Sequence, residues 1–333
     1  MGSFCLAGDI GGTKTTLAII ESSSGPKVFL EKATFPSHDY PSLEAIVMLF
    51  LKGKKWAPSQ ASFGVAGPVI DGQVQTTNLP WHLAEAVLSK ELDIPVRLLN
   101  DLTATAHSVP FLNKDDLVTL NPGKPVVHGA MAVIAPGTGL GEAYLNWDGN
   151  RYRAFPSEGG HVDFAPADQL QIKLLAYLQA QFGHISYERV CSGSGLPNIY
   201  SFMKVEGIDI EPTWLHDQLI QEADPSPVIT KAALEGTAQI AIATLDLFST
   251  ILAAEAGNLV LKILADGGIY LGGGIPPKIM PFLQKASFLN SFRNKGRFAA
   301  FLEAIPVHVI LNPDTALIGA ARHGLEVGEN EDG

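Results

Sequence analysis

The sequence predicts an α/β protein of two lobes, each a mixed sheet with flanking helices and with the site in the cleft between them. Three observations carry this. The chain has 333 residues, more than one core usually organises, so two domains are the natural expectation. Two segments share one plan: an apolar strand, a glycine turn, and a second strand in place of a helix. Finally, three strands in a row precede alternating helices and strands, which describes a sheet begun as a meander and completed by βα units.

The first hairpin runs from Phe4 through Gly8-Asp9-Ile10-Gly11-Gly12-Thr13 into Thr15–Ile20. After turn residues Ser22–Gly25, Pro26 to Phe35 reads as a third antiparallel strand. Apolar residues at helical spacing (Leu43, Ile46, Val47, Phe50) predict a helix over Ser42–Leu51 with Ser42 as its cap. Ala61–Ala66 and Val96–Leu99 read as strands, and Thr103–His107 as a helix. The second hairpin starts at Met131 and passes through Gly137-Thr138-Gly139-Leu140-Gly141 into Glu142–Trp147. Amphipathic helices are expected around Leu170–Phe182, Pro197–Val205 and Lys231–Leu264. Strands follow at Ile269–Leu271 and Val307–Leu311, then a helix over Thr315–His323 and an acidic, frayed tail from Val327 to Gly333.

The formal charge of −11 argues against nucleic-acid or anionic-membrane partners, which require a basic face. Lys52, Lys54 and Lys55 form the one short basic group and read as a solvated helix end. Apolar residues make up 46% and charged residues 17%, ordinary for a protein with a large core. The two cysteines, Cys5 and Cys191, sit in no CxxC or Cys/His cluster, so neither a zinc site nor a disulfide framework is expected. A reducing cytoplasm is the simplest compartment. The start of the chain lacks the basic region of a signal peptide. The most apolar stretch, Ala238–Leu264, is interrupted by Asp246, Glu255 and Lys262, and reads as a buried core helix rather than a membrane span.

Glycine turns between strands let backbone N–H groups crowd together, because glycine lacks a Cβ and accepts positive φ, and such concave arrays attract anions. Neither turn is a P-loop, which needs GxxxxGK[ST], nor a Rossmann fingerprint, which needs GxGxxG opening a helix. Thr13 and Thr138 add hydroxyls. Asp9 places a carboxylate at a strand end, suited to holding a metal ion through water. Asn100-Asp101 follows an apolar strand, where α/β sheets gather ligands; Asp101 can take a proton from an attacking hydroxyl, or either residue can simply cap the next helix. In Ser157-Glu158-Gly159-Gly160-His161-Val162-Asp163, the glycines would let backbone approach a ligand, while Glu158 and His161 can bond the hydroxyls of a polyol. The spacing does not match an HExxH metal helix. Glu188 alone says little: a surface glutamate or a pair with Arg189 is the default. Gly272-Gly273-Gly274 ends a strand and is suited to covering a flat ring.

Together these residues resemble the bacterial-type glucokinase family of the hexokinase–actin–chaperone ATPase superfamily. The resemblance rests on Gly8–Thr13, Tyr40–Ala45, Thr77-Asn78-Leu79-Pro80-Trp81, Asn100–Ala104, Gly137–Gly141, Glu158–Pro166, Glu188-Arg189-Val190 and Gly272–Ile275, in family order across nearly the whole chain. It implies a two-lobed actin-like ATPase (ribonuclease H-like) fold, with one α/β lobe from 1–109 plus about 312–333 and a larger one from 110–311. It implies ATP-dependent phosphorylation of glucose at its 6-hydroxyl, with Asp101 as base and Asn78, Asn100, Glu158, His161 and Glu188 as sugar ligands. Gly8, Gly11, Gly12, Thr13 and Lys14 would form one nucleotide turn and Gly137, Thr138 and Gly139 the other. Gly273 would lie near the adenosine, and Asp9 near a Mg2+ ion held through water. A homodimer is also implied. Lys14, Pro136 and Ser157 depart from common family residues and bear on nucleotide affinity and donor choice. A kinase for mannose, fructose or an amino sugar is the nearest alternative; a non-catalytic sugar or nucleotide sensor and an actin-like filament former are the rivals from other classes.

Overall fold

The computed structural model describes residues 3–76 and 79–331. The chain divides into two compact units: Met1–Lys114 with Asp148–Pro156 and Asn312–Gly333, and Asp115–Trp147 with Ser157–Leu311.

In the first unit, β1 (Phe4–Ile10) and β2 (Lys14–Glu21) form the expected hairpin, with Asp9 opposite Thr16. β3 (Phe29–Pro36) pairs antiparallel with β2, while β4 (Gln60–Val65) and, after the small hairpin β5 (Gln73–Gln75) and β6 (His82–Ala84), β7 (Val96–Asn100) add in parallel. The sheet order is β3-β2-β1-β4-β7. Both faces of β1 are buried, which explains its apolar run up to Asp9. Leu6 and Ile10 pack with Phe63 and with Leu43, Ile46 and Val47 of helix α1 (Leu43–Leu51), whose first turn is capped by Ser42. Lys52 caps its other end, Lys54 pairs with Glu31, and the Lys55 ammonium lies over Trp56, so the basic group is spent locally. Helix α2 (Glu85–Leu92) precedes β7, and α3 (Asp101–Ser108) follows it.

The opposite face of the sheet presents small residues, Cys5, Ala7 and Ala18, to Leu317, Ala320 and Ala321 of the last helix, Thr315–Glu331. This helix passes the expected stop at His323: Leu325 is buried and Glu326 bonds Arg322 at 2.8 Å one turn earlier, so helical contacts continue. Its Gly319 lies so close to α3 that a Cβ there would collide with the Ala104 carbonyl. Gly319→Ala is therefore expected to destabilise the protein by about 1–3 kcal/mol in denaturant unfolding, despite alanine's better helix propensity. An unchanged or higher midpoint would contradict this packing. Arg151 lies 3.8 Å from Glu326, which ties residues 148–156 to this unit rather than to the larger one.

In the second unit, β8 (Leu117–Asn121), β9 (Met131–Pro136), β10 (Leu140–Trp147), β12 (Gly268–Leu271) and β13 (Val307–Ile310) pair in the order β10-β9-β12-β13-β8; β11 (Tyr152–Ser157) spans the chain's return at Pro156/Ser157. β9 and β10 are antiparallel and β9, β12 and β13 parallel, so the mixed pattern of the first unit recurs. Helices α4 (Gln169–Gln179), α5 (Leu196–Val205), α6 (Thr213–Gln221), α7 (Ser226–Leu234) and α8 (Gln239–Ile263) supply most of the remaining core. The single helix expected over Lys231–Leu264 is thus two, because Gly236 takes a left-handed φ of +69° that ends α7. α8 is long and apolar enough to cross a membrane, but 78% of its most apolar window is buried within the protein, as expected for a core helix. Both cysteines are free and buried.

Candidate active site

In the first unit, the ends of β1 and β7 bring Asp9 and Asp101 together. Asn100 ends β7 and caps α3: its Oδ1 accepts from the amides of Leu102 (2.9 Å) and Thr103 (3.3 Å), and its Nδ2 donates to the Gly67 carbonyl at 3.0 Å. Capping therefore falls to Asn100, and the Asp101 carboxylate is not consumed by it. Asp101 Oδ1 accepts from the Leu102 amide at 2.9 Å. Burial raises its pKa above the usual aspartate range, opposed by that amide. Asp9 is pushed up to about 6, first by burial and then by the negative charge of Asp101, with Lys14 opposing and Asp314 reinforcing the shift.

The turn between β1 and β2 is closed by the Gly11 amide donating to the Lys14 carbonyl at 3.0 Å. Buried Ser37 braces it from behind: its amide donates to Thr13 O (3.0 Å) and its hydroxyl to Gly11 O (2.8 Å). Thr13 and Lys14 are exposed beyond it. Gly8 also has a packing role. It is buried in β1, and a Cβ there would lie 2.6 Å from Phe63 and 2.9 Å from Leu17, so this glycine serves core packing.

In the second unit, the β9–β10 turn is held by the Gly137 amide on Gly139 O (2.8 Å) and by the Gly193 amide on Gly137 O (2.7 Å). Gly11, Gly137 and Gly139 do not take left-handed φ, so of the two reasons for glycine there only the missing Cβ applies. Gly139 instead leaves room for Glu188, whose Oε2 accepts from the Leu140 amide at 2.9 Å. Glu188 is thus bonded to the turn and not to Arg189, whose guanidinium stacks over Phe182. Glu188 Oε1 lies 4.0 Å from His161 Nδ1.

Glu158 and His161 flank a single 3-10 turn, Gly159–His161, and both side chains are exposed. The two glycines between them also make room for a neighbour. A Cβ on Gly159 would collide with Glu142, and one on Gly160 with the Leu140 carbonyl, so the turn sits directly on β10. Ser157 adds a brace, its hydroxyl accepting from the Gly159 amide at 3.0 Å. Asn78 lies outside the described residues.

Beside Gly137 and Thr138 opens a groove of about 810 Å³. Gly274, Ile275, Leu196, Thr230 and Lys278 are among the residues that line it. Its apolar wall and polar rim suit a nucleoside. Gly273 stands just behind: its φ is +80°, and a Cβ would meet Pro136 O at 2.5 Å. Only glycine lets the end of β12 approach the turn this closely.

The glucokinase family model matches residues 6–326. The chain belongs to the glucokinase family. It is 42% identical over 332 residues to the glucokinase of Trichormus variabilis, covering 95% of this chain and 97% of that one. Among solved structures, the glucokinase of an Antarctic psychrotroph matches with a TM-score of 0.87 at 31% identity, over 98% of this chain and 100% of the other. A ROK family glucokinase from Streptomyces griseus, solved with glucose and AMPPNP, shares the fold at a TM-score of 0.62 and 19% identity, over 97% and 100% of the two chains. The actin-like ATPase fold is therefore the fold of this glucokinase-family member.

Three residues at these sites escape sequence reasoning: Ser37 behind the first turn, Asp314 beside Asp9, and Glu142 beneath Gly159. Each reaches its place through tertiary packing, and none lies in a motif that would single it out.

Proposed function

We propose that this chain transfers the γ-phosphoryl group of ATP to the 6-hydroxyl of glucose, with Asp101 as general base. The observation that carries the assignment is the division of labour at the start of α3, where Asn100 caps the helix and Asp101 remains available as a carboxylate. Asp101 takes the hydroxyl proton as the sugar oxygen bonds to phosphorus; the bond from phosphorus to the bridging oxygen breaks, and ADP leaves. Asn100, Glu158, His161 and Glu188 hold sugar hydroxyls, with Asn78 as a further ligand. Backbone amides at Gly11–Thr13 and Gly137–Gly139 hold phosphate oxygens, and the groove beside Thr138 takes the nucleoside.

Magnesium fits the first unit as a water-held ion. Asp9 lies in the field of Asp101 and Asp314, and that unbalanced negative charge favours a cation. Among the described residues no group of three or more His, Cys, Asp or Glu side chains is arranged to enclose a metal. Asp9 would hold the ion, which would supply charge neutralisation on the phosphates. The same reading includes a homodimer and a cytoplasmic setting.

A coupled ADP assay on the purified chain with glucose, mannose, fructose and galactose tests the reaction. Each misplaced hydroxyl leaves a buried partner unpaired, at a cost of about 1–3 kcal/mol, so galactose is expected to be a poor substrate. Equal kcat/KM for glucose and galactose, or no ADP release with glucose, would refute the proposal.

A further inference from the structure

Glu142 on β10 is a buried carboxyl for which the reaction above has no use. It is 1% exposed, its Oε1 has no hydrogen-bond partner, and its Oε2 fills the space a Cβ on Gly159 would need. Behind it, the fully buried Glu255 of α8 accepts from Asn258 Nδ2 at 2.8 Å and from Lys262 Nζ at 2.9 Å. Asn258 also donates to the Tyr187 hydroxyl at 2.9 Å, so Asn258 links Tyr187 to Glu255. One cluster therefore underlies both sugar-facing segments: Gly159 stands between Glu158 and His161, and Tyr187 adjoins Glu188.

We propose that Glu142 is a positioning residue that seats Gly159 and so fixes where Glu158 and His161 project. The inference rests on the assignment of those two residues to the sugar. Burial and the neighbouring Glu255 raise the pKa of Glu142, against the pull of Lys262, which favours a proton on this carboxyl. The other groups around the pair are Tyr187, Cys191 and Lys295. Tyr187 and Cys191 are pushed up by burial and stay neutral through pH 9; Lys295, which reaches Asn258 Oδ1 at 2.5 Å, is lowered by burial. Loss of that proton as the pH rises places an unpaired buried charge directly beneath Gly159, in the turn assigned to the sugar.

Calorimetric titration of glucose into the whole chain, without nucleotide, tests this from pH 6.5 to 9, with melting curves on every variant. Glu142→Gln keeps the side-chain shape beneath Gly159 without an ionisable group and is expected to bind within about twofold of wild type at pH 7. Glu142→Ala is expected to weaken binding by about 10- to 100-fold. Wild-type Kd is expected to rise roughly tenfold from pH 7 to 9, and that of Glu142→Gln to lack this rise. Wild-type affinity in a folded Glu142→Ala, or the same alkaline loss in Glu142→Gln, overturns the inference; if Glu142→Ala does not fold, the pH comparison decides. Glu158→Ala separates the two levels. If it leaves glucose binding unchanged, the sugar assignment falls and this inference with it. If it weakens binding while the Glu142 variants fail their tests, only the role of Glu142 falls.

Discussion

Replacing Asp101 by Asn is expected to lower kcat by about 10²–10⁴-fold while the fold persists, the usual cost of removing a general base. The substitution is nearly isosteric, and an Asn Oδ1 can still accept from the Leu102 amide that Asp101 engages at 2.9 Å. The cap of α3 belongs to Asn100 and is untouched. Glucose binding and melting temperature should therefore change little, and the loss should fall on turnover. The pH profile adds a second reading. A base works in its ionised form, and burial raises the Asp101 pKa. Wild-type kcat should then fall on the acid side at a pH above the usual aspartate range, and the residual activity of the variant should lack that limb. Near-normal turnover would remove Asp101 from the mechanism.

The second large effect is expected at Gly160. A methyl group there would collide with the Leu140 carbonyl, a backbone atom fixed in the β9–β10 ladder that has no rotamer by which to yield. Gly160→Ala must therefore lift the Gly159–His161 turn off β10, displacing Glu158 and His161 together. Displacement of ligands on the ångström scale costs on the order of 10²-fold in kcat/KM, and overpacking costs a further 1–3 kcal/mol or so of stability. Steady-state kinetics with glucose and a denaturant titration measure the two. A variant with wild-type KM for glucose and an unchanged unfolding midpoint would show that the turn does not sit on β10 as described.

Much of the fold was legible because local chemistry and tertiary demand agree there. The near-continuous apolar runs of β1 and β2, the Ser42 cap and the apolar spacing of α1 all announce themselves in short windows of sequence. The misreadings have local causes as well. Gly236 breaks a helical pattern that apolar spacing alone would carry through to α8, and the Arg322–Glu326 contact extends the last helix past His323. α2 and α6 are short and weakly patterned, and their placement depends on what they pack against.

At the candidate site, the kinds of residue were readable and several of their reasons were not. The sequence by itself determined two glycine hairpins that are neither P-loop nor Rossmann, a carboxylate after β7, and a polar Glu–Gly–Gly–His block, because each is a contiguous pattern whose chemistry is carried by residue type. Only the tertiary structure decided what those glycines do. Gly8 admits Phe63 and Leu17, Gly139 admits Glu188, and Gly159 and Gly160 admit β10. Only the tertiary structure joined Glu188 to the second turn, Ser37 to the first, and Glu142 to the Gly159–His161 turn. The physical reason is the same throughout. A missing Cβ records that something must come close, while the partner that does so stands up to tens of residues away in the chain and is chosen by packing.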